Sequence, residues 1–201
     1  MTVTDVNVVK SAIFERPDDA NKGTLGSLLC VCGSYGMAGA AVMSAKGALR
    51  TGIGLAKCAL PRSVYPIVAQ TILESVYYPL SENADGRISK VNVPFLVSES
   101  CKSSATLVGC GLGVCDDTLK IVFSFIENST TPLVLDADAL NCVAKQPEIL
   151  LRKKAPIIIT PHPGEMSRLT GLATPLVNAE RERVALDFAQ KYGVVTCLLY
   201  T

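Results

Sequence analysis

Short hydrophobic runs alternate along the chain with longer segments whose apolar residues recur at helical spacing. The hydrophobic runs predict strands over residues 25–32, 55–60, 75–80, 105–110, 132–135, 156–160 and 194–200. The other segments predict helices over residues 37–50, 62–70, 116–127 and 175–191, and the polar stretch 81–87 predicts a loop. Apolar strands that alternate with helices are typical of a mostly parallel sheet covered by helices. Because no linker or repeat interrupts the alternation, we expect a single α/β domain over residues 1–201.

Composition narrows the classes of protein to consider. Hydrophobic residues make up 49% of the 201 residues, which is enough apolar surface for a sizeable core. The net charge is +1, no Lys/Arg run exceeds residues 152–154, and Trp is absent, so we expect no nucleic-acid partner. Residues 1–10 are polar and no apolar run is long enough to cross a bilayer, so we expect no membrane partner and a cytoplasmic location.

Cysteine and histidine usage argues against a zinc site. The chain has eight cysteines and one histidine, His162, and no two cysteines form a C-x-x-C pair. Zinc sites are commonly built from such pairs and from several imidazoles. Five of the cysteines lie in apolar runs such as residues 28–32, where cysteine packs as a small hydrophobic residue. We therefore expect a reduced, cytosolic protein.

Four loops stand at the carboxyl ends of predicted strands, where ligands of parallel sheets bind. They read GSYGMAGA at residues 33–40, GCGLG at 109–113, DADALN at 136–141 and PHPGE at 161–165. The first combines glycines with the start of a helix, which suits the close approach of an anion as well as a plain tight turn. The second lacks the G-x-G-x-x-G spacing of a dinucleotide site, so alone it indicates a turn.

The other two loops carry candidate chemical groups. Asp136 ends an apolar strand and is suited to holding Mg²⁺ or orienting a hydroxyl, whereas Asp138 is suited to capping the next helix. His162 lies between two prolines, which restrict the backbone and favour orientation of its side chain towards a ligand. Glu165 falls in the first turn of an expected helix, where capping explains it as well as a ligand role does.

Five segments together resemble the NAD(P)H-hydrate dehydratases over residues 20–195. They are KGTLG at 22–26, GSYGMAGAA at 33–41, ALRTGIGL at 48–55, VLDADALN at 134–141 and TPHPGEMSRL at 160–169. The resemblance implies a ribokinase-like, three-layer α/β/α fold. It also implies an enzyme that uses ADP or ATP to dehydrate the hydrated forms of NADH and NADPH, through a phosphorylated intermediate.

The resemblance also implies roles for particular residues. The hydrated substrate would be contacted by Ala40, by a glycine of the GLG segment (Gly111 or Gly113) and by His162. Glu165 would act through water on Mg²⁺, while Asp136 and Asn141 would order the phosphates. Phosphoryl transfer depends mainly on positioning and charge neutralisation, and carboxylates and helix N-termini are suited to both.

The chain departs from this family after residue 195, where it reads TCLLYT at 196–201. The family continues with a Lys-Gly segment that reaches the nucleotide phosphates and a G-x-G-D loop whose aspartate activates the hydroxyl. We therefore expect a fold that is incomplete at its carboxyl terminus, through a fragmented or frameshifted reading, a natural truncation, or a second polypeptide that supplies the rest. A sheet edge exposed in this way favours aggregation or homo-oligomers.

Two alternative functions stay open from the sequence. One is a catalytically inactive, truncated relative that holds a nucleotide through residues 33–40 and His162. The other is a ribokinase-like kinase of a small alcohol, although the pairing of PHPGE with DADALN speaks against it.

Overall fold

A parallel sheet organises the chain, and the computed structural model describes residue 7 and residues 17–200. The strands are β1 Ser27–Val31, β2 Leu55–Pro61, β3 Val76–Leu80, β4 Ala105–Val108, β5 Leu133–Leu135, β6 Ile157–Ile159 and β7 Val195–Thr196. They form one seven-stranded sheet in the order β3-β2-β1-β4-β5-β6-β7, and each neighbouring pair is parallel. The parallel sheet expected from the hydrophobic runs is confirmed.

Helices connect the strands. They are α1 Ala38–Arg50, α2 Tyr65–Thr71, α3 Val93–Cys101, α4 Asp116–Asn128, α5 Asp138–Val143, α6 Pro163–Thr170, α7 Thr174–Ala179 and α8 Arg181–Tyr192, with 3₁₀ turns at Lys90–Asn92 and Pro147–Arg152. Among the described residues, no helix has both the length and the apolar composition needed to cross a lipid bilayer.

Side chains alternate between the two faces of the sheet and build a hydrophobic core on each. In β1, Leu29 and Val31 join the larger core, which packs against α3 to α8, whereas Cys30 faces the smaller core beneath α1 and α2. The period-two alternation of a strand is the cause. Helices therefore cover both faces, and the three-layer α/β/α arrangement is confirmed.

The segment after residue 170 differs from its prediction. The helix expected over residues 175–191 is two helices, α7 and α8, which meet at Glu180 with a φ of −127° and a ψ of 40°. The strand expected over 194–200 is shorter: Val195 and Thr196 pair in register with β6, and the Cys197 N–H still donates to the Ile159 carbonyl oxygen at 2.8 Å. No glycine or proline marks the break at Glu180, so the local sequence gives no sign of it.

Helix α3 was not predicted, because its apolar residues do not follow a clear helical period. Pro94 lies in its first turn, where proline is well tolerated. The helix buries Leu96 in the larger core and also buries two polar side chains, Glu99 and Ser100. Ser100 exchanges hydrogen bonds with the hydroxyls of Thr106 and Ser129, at 2.9 and 2.8 Å.

Candidate functional site at the carboxyl edge of the sheet

The four strand-end loops follow β1, β4, β5 and β6, which lie side by side in the sheet. Parallel strands present their carboxyl ends at one edge, so the loops are brought together there. Consecutive loops are joined by hydrogen bonds and close contacts. The site predicted from the sequence is therefore one continuous surface rather than four separate turns.

Ala40 and Gly111 join the first two loops. Gly111 has a φ of +64°, and a Cβ added there would lie 2.7 Å from the Cβ of Ala40 and 3.1 Å from that of Met37. The Ser34 hydroxyl donates to the Gly111 carbonyl at 2.8 Å. A side chain at position 111 is thus excluded by both space and backbone conformation. The backbone of the GCGLG loop packs against the side chains of Ala40 and Met37. The N-cap residue of α1, Met37, makes no side-chain capping hydrogen bond.

The sequence predicted that Asp138 caps helix α5. In the structure Asp138 instead binds the GCGLG loop. Ala137 occupies the cap position, and Asp138 lies in the first turn, where its Oδ2 accepts a hydrogen bond from the Gly113 N–H at 2.8 Å. Its Oδ1 accepts from Asn141 Nδ2 at 3.3 Å. Arg168 donates to Asn141 Oδ1 at 2.9 Å, so the Asn141 amide links α5 to α6.

Asp136 is held rigidly just beyond β5. Its Oδ1 accepts from the Thr160 hydroxyl at 2.7 Å, and its Oδ2 accepts from the Cys110 thiol at 3.2 Å. The next residue, Ala137, has a φ of 49° and a ψ of −115°, which is strained for a residue with a Cβ. Strained backbone of this kind tends to cluster at functional sites and persists only where the surroundings enforce it.

His162 and Glu165 form a reciprocal cap at the start of α6. The His162 Nδ1 accepts from the N–H groups of Gly164 and Glu165 at 3.0 and 3.4 Å, and Glu165 Oε2 accepts from the His162 N–H at 2.9 Å. Because Nδ1 is the acceptor, the ring hydrogen lies on Nε2, which approaches Glu165 Oε1 at 3.3 Å. The capping alternative is thus confirmed for Glu165. It also applies to His162, which the sequence had favoured as a ligand contact.

The Glu165 carboxylate is poorly solvated. Burial raises its pKa above the ordinary value, and the charge of Asp136 adds to this effect, while the hydrogen bond from the His162 backbone N–H and the charge of Arg168 oppose it. Among the described residues, no three His, Cys, Asp or Glu side chains form a set that could hold a metal ion. Mg²⁺ keeps several waters and binds through one or two carboxylates and phosphate oxygens, so Asp136 and Glu165 fit such a hydrated ion.

Replacing His162 with alanine is expected to destabilise the chain by about 1 kcal/mol, because two N–H groups at the start of α6 lose their acceptor. His162→Asn is the matched control, since asparagine is among the best N-cap residues and should keep most of that stability. Urea unfolding monitored by circular dichroism measures both. Equal stability of His162→Ala and the natural chain would contradict a capping role for the imidazole.

Several residues that shape this surface were not singled out from the sequence. Thr160 and Cys110 hold Asp136, and Arg168 holds Asn141, from segments 24, 26 and 27 residues away in the chain. The positions of Thr160 and Cys110 at strand ends were visible in the sequence, whereas Arg168 lies within α6. Their partners were not, because these depend on which strands become neighbours.

Comparison with known proteins gives a consistent answer. A family model described as NAD(P)H-hydrate dehydratase matches residues 28–200. The "Bifunctional NAD(P)H-hydrate repair enzyme" of Thermofilum pendens is 36% identical over 176 residues, which are 88% of this chain and 34% of that protein. The "ADP-dependent (S)-NAD(P)H-hydrate dehydratase" of Bacillus subtilis is 28% identical over 192 residues, which are 94% of this chain and 63% of that protein.

Solved structures agree on the fold. The crystal structure of the ADP/ATP-dependent NAD(P)H-hydrate dehydratase from Bacillus subtilis, co-crystallised with ATP/Mg²⁺, has a TM-score of 0.77 at 27% identity. The match covers 96% of this chain and 64% of that one. A ribokinase-like superfamily protein from Enterococcus faecalis has a TM-score of 0.76 at 19% identity, covering 93% of this chain and 62% of that one, and shows the fold alone.

The chain thus spans between 34% and 64% of the length of these relatives. The family model, however, matches continuously from β1 to the end of the described residues. The ordered motifs, the parallel sheet and the matches agree, and the chain belongs to the NAD(P)H-hydrate dehydratase family.

Proposed function

We propose that this chain carries the substrate-binding side of an enzyme that dehydrates hydrated NADH or NADPH at the expense of ADP or ATP. The observation that carries the proposal is the contact between Ala40 and Gly111, beside the rigidly held Asp136. Where a side chain is excluded, the backbone of a ligand-binding loop can approach its ligand closely. We propose Ala40, Gly111, Gly113 and His162 as the substrate contacts.

In the proposed reaction the ring hydroxyl of the hydrated nicotinamide takes a phosphoryl group from the nucleotide. Loss of that phosphate, together with a ring proton, restores the carbon–carbon double bond. The nucleotide supplies the phosphoryl group, and a bound Mg²⁺, held through water by Glu165 and near Asp136, would neutralise phosphate charge. The chain's own part is positioning: the uncapped N-terminus of α1 attracts an anion, and Thr160 and Cys110 fix Asp136 in one orientation.

We propose that Glu165, through water, and Asp136 and Asn141 stand on the phosphate side. The charge of Asp136 contributes, after burial, to the raised pKa of Glu165, and a cation bound beside the two carboxylates would offset this repulsion. The Asn141 amide is tied to Arg168 at 2.9 Å, so a guanidinium lies near the same residues and adds positive charge. Phosphate groups are commonly recognised by such combinations of guanidinium groups and metal ions.

Titration calorimetry of hydrated NADH into the 201-residue chain tests substrate recognition separately from turnover. Ala40→Leu is expected to weaken binding roughly tenfold or more, because overpacking a close contact costs about 1–3 kcal/mol. Gly47→Ala is the control: it lies in the same helix, and a Cβ there meets no atom within 4 Å. Absence of binding by the natural chain would contradict the proposal.

Turnover is followed by the absorbance of the reduced nicotinamide after ADP or ATP and Mg²⁺ are added. Binding without recovery of absorbance would favour the catalytically inactive, nucleotide-binding alternative for this chain. Recovery of the absorbance would show that the 201-residue chain catalyses the dehydration by itself. Accumulation of a phosphorylated product without elimination would instead indicate a small-molecule kinase.

The proposal extends to one folding unit over residues 1–201, a cytoplasmic location, no nucleic-acid or membrane partner, and homo-oligomers. Support for self-association comes from Ile158 and Val195, which are paired in register and are 37% and 60% exposed. Adjacent apolar side chains on an exposed part of a sheet favour association.

A further inference from the structure

Cysteines of three adjacent strands lie together on one face of the sheet, in the smaller core beneath α1 and α2. They are Cys30 and Cys32 of the first strand and its loop, Cys58 of β2, and Cys110 of the GCGLG loop. In the proposed function the Cys110 thiol only positions Asp136, and none of the four sulfur atoms makes or breaks a bond. An inference about their redox chemistry therefore does not rest on that function.

Cys32 and Cys110 are the pair nearest the candidate site. Two backbone hydrogen bonds bracket them, from the Gly109 N–H to Val31 O at 3.2 Å and from the Gly33 N–H to Cys110 O at 2.8 Å. Neighbouring strands are about 4.8 Å apart, and disulfides span Cα separations of about 4.4–6.8 Å. Both side chains belong to the smaller core, in which the partly buried Cys110 packs against a cluster that includes Cys32. Backbone spacing and side-chain direction are thus both compatible with a disulfide.

Exposure gives the two thiols different roles. Cys110 is half-buried, at the surface of the sheet edge, whereas Cys32 is only 1% exposed. An oxidant from solvent therefore meets Cys110 first, and Cys32 lies directly behind it. This is the arrangement of an attacked cysteine and a resolving cysteine.

We propose that Cys110 is a site of oxidation by peroxides and that Cys32 resolves it to an intramolecular disulfide. The Cys110 sulfur attacks hydrogen peroxide, the O–O bond breaks, and a sulfenic acid and one water are formed. The Cys32 sulfur then attacks the sulfenic sulfur, the S–O bond breaks, and the hydroxide takes the Cys32 proton as a second water. Two thiols lose two electrons and two protons, and the peroxide is reduced to two waters.

The disulfide would act on the candidate site through Asp136 and Gly111. The Cys110 thiol donates a hydrogen bond to Asp136 Oδ2 at 3.2 Å, and a disulfide has no hydrogen to donate. Gly111, which follows directly, packs against Ala40. Oxidation is therefore expected to release one of the two contacts that hold Asp136 and to shift the GCGLG loop.

A second pair of cysteines, Cys30 and Cys58, serves as an internal control for the oxidation of Cys32 and Cys110. Cys30 and Cys58 face each other in register between β1 and β2, so their spacing is also compatible with a disulfide. They are 2% and 1% exposed, and neither is open to an oxidant from solvent. In the folded protein this pair is expected to stay reduced while Cys32 and Cys110 become linked.

The test uses the 201-residue chain with its two exposed cysteines, Cys101 and Cys197, replaced by serine. The folded protein is treated with hydrogen peroxide, free thiols are alkylated, and tryptic peptides are sequenced by tandem mass spectrometry. Sequencing is needed because peptide 23–46 holds both Cys30 and Cys32, and peptide 103–120 holds both Cys110 and Cys115. The expected result is a Cys32–Cys110 peptide that dithiothreitol cleaves. With Cys32→Ala, Cys110 should instead be trapped as a sulfenic acid by dimedone. With Cys110→Ser, the link should be lost.

The chain with all eight natural cysteines is mapped in parallel, so that the result does not depend on how a variant folds. Circular dichroism establishes that each sample is folded before oxidation. Absence of the Cys32–Cys110 link in folded protein would overturn the proposal. Equal yields of the Cys30–Cys58 link, or a link from Cys115 in place of Cys110, would overturn it as well.

Discussion

Replacing Gly109 with alanine is expected to destabilise the chain by about 4 kcal/mol, which is a large part of the stability of an ordinary domain. Gly109 has a φ of +125°, and an added Cβ would lie 1.9 Å from the Asp136 carbonyl oxygen and 2.7 Å from the Cβ of Ala139. Both neighbours belong to the segment that runs from β5 into α5. Because this backbone is closely packed, it cannot make room for a Cβ unless the end of β5 and the start of α5 move.

Gly47→Ala is the matched control for this substitution. Gly47 is an exposed residue within α1, and a Cβ there meets no atom within 4 Å. Alanine at this position should stabilise the chain by about 0.5–1 kcal/mol. It lowers the conformational entropy of the unfolded chain and has a higher helix propensity than glycine. Urea unfolding of both variants should give changes of opposite sign. If the Gly109→Ala chain is as stable as the natural one, Gly109 does not pack closely against Asp136 and Ala139.

The second large effect is expected at Glu99, whose side chain is 12% exposed within α3. Its carboxylate accepts from the Tyr78 hydroxyl at 3.0 Å and from Lys102 Nζ at 2.9 Å, and lies 3.8 Å from Lys57 Nζ. Lys57 is itself 11% exposed, so removing the carboxylate leaves a buried ammonium group without its counter-charge. Glu99→Ala is expected to cost about 3 kcal/mol at neutral pH.

This cost should depend on pH in a defined direction. The hydrogen bond from Lys102 lowers the pKa of Glu99, burial opposes it, and the hydrogen bond from Tyr78 lowers it further. A depressed carboxyl pKa contributes stability that is present above the unfolded value, 4.5, and is lost as pH falls through the folded value. The difference between the natural chain and Glu99→Gln should therefore be full at neutral pH and shrink in acid.

Glu127→Gln is the control for this pair of variants. Glu127 pairs with Arg152 at 3.0 Å, but the two side chains are 37% and 64% exposed. Exposed ion pairs contribute about 0–1 kcal/mol, so this change should be small at every pH. A Glu99→Gln difference that is equally small, or that does not shrink in acid, would contradict the stabilising network around Glu99.

Much of the candidate site followed from the sequence, because a strand's end is encoded locally. Asp136 comes directly after a run of apolar residues, and His162 follows another, so a parallel sheet had to bring both to one edge. The ligand contact predicted for His162 stays a proposal. The sequence did not predict that Nδ1 of this residue also caps α6, because that geometry depends on the φ and ψ adopted around Pro163 and Gly164.

Three features could not be predicted from the sequence. Helix α3 lacks a clear period because it buries the polar side chains Glu99 and Ser100, whose partners come from other elements. The break at Glu180 carries no glycine or proline. The strain at Ala137 arises where Asp136 must meet Thr160 across the sheet.

The sequence by itself determined the α/β class, the positions of the strands around the site, and the four loops at their carboxyl ends. It did so because hydrophobic period and turn residues act over a few neighbouring positions. Only the tertiary structure decided which groups meet: Thr160 and Cys110 at Asp136, Gly111 against Ala40, and Cys32 and Cys110 in one core. These contacts depend on strand order and register, which are set by packing across the whole sheet rather than by any local segment.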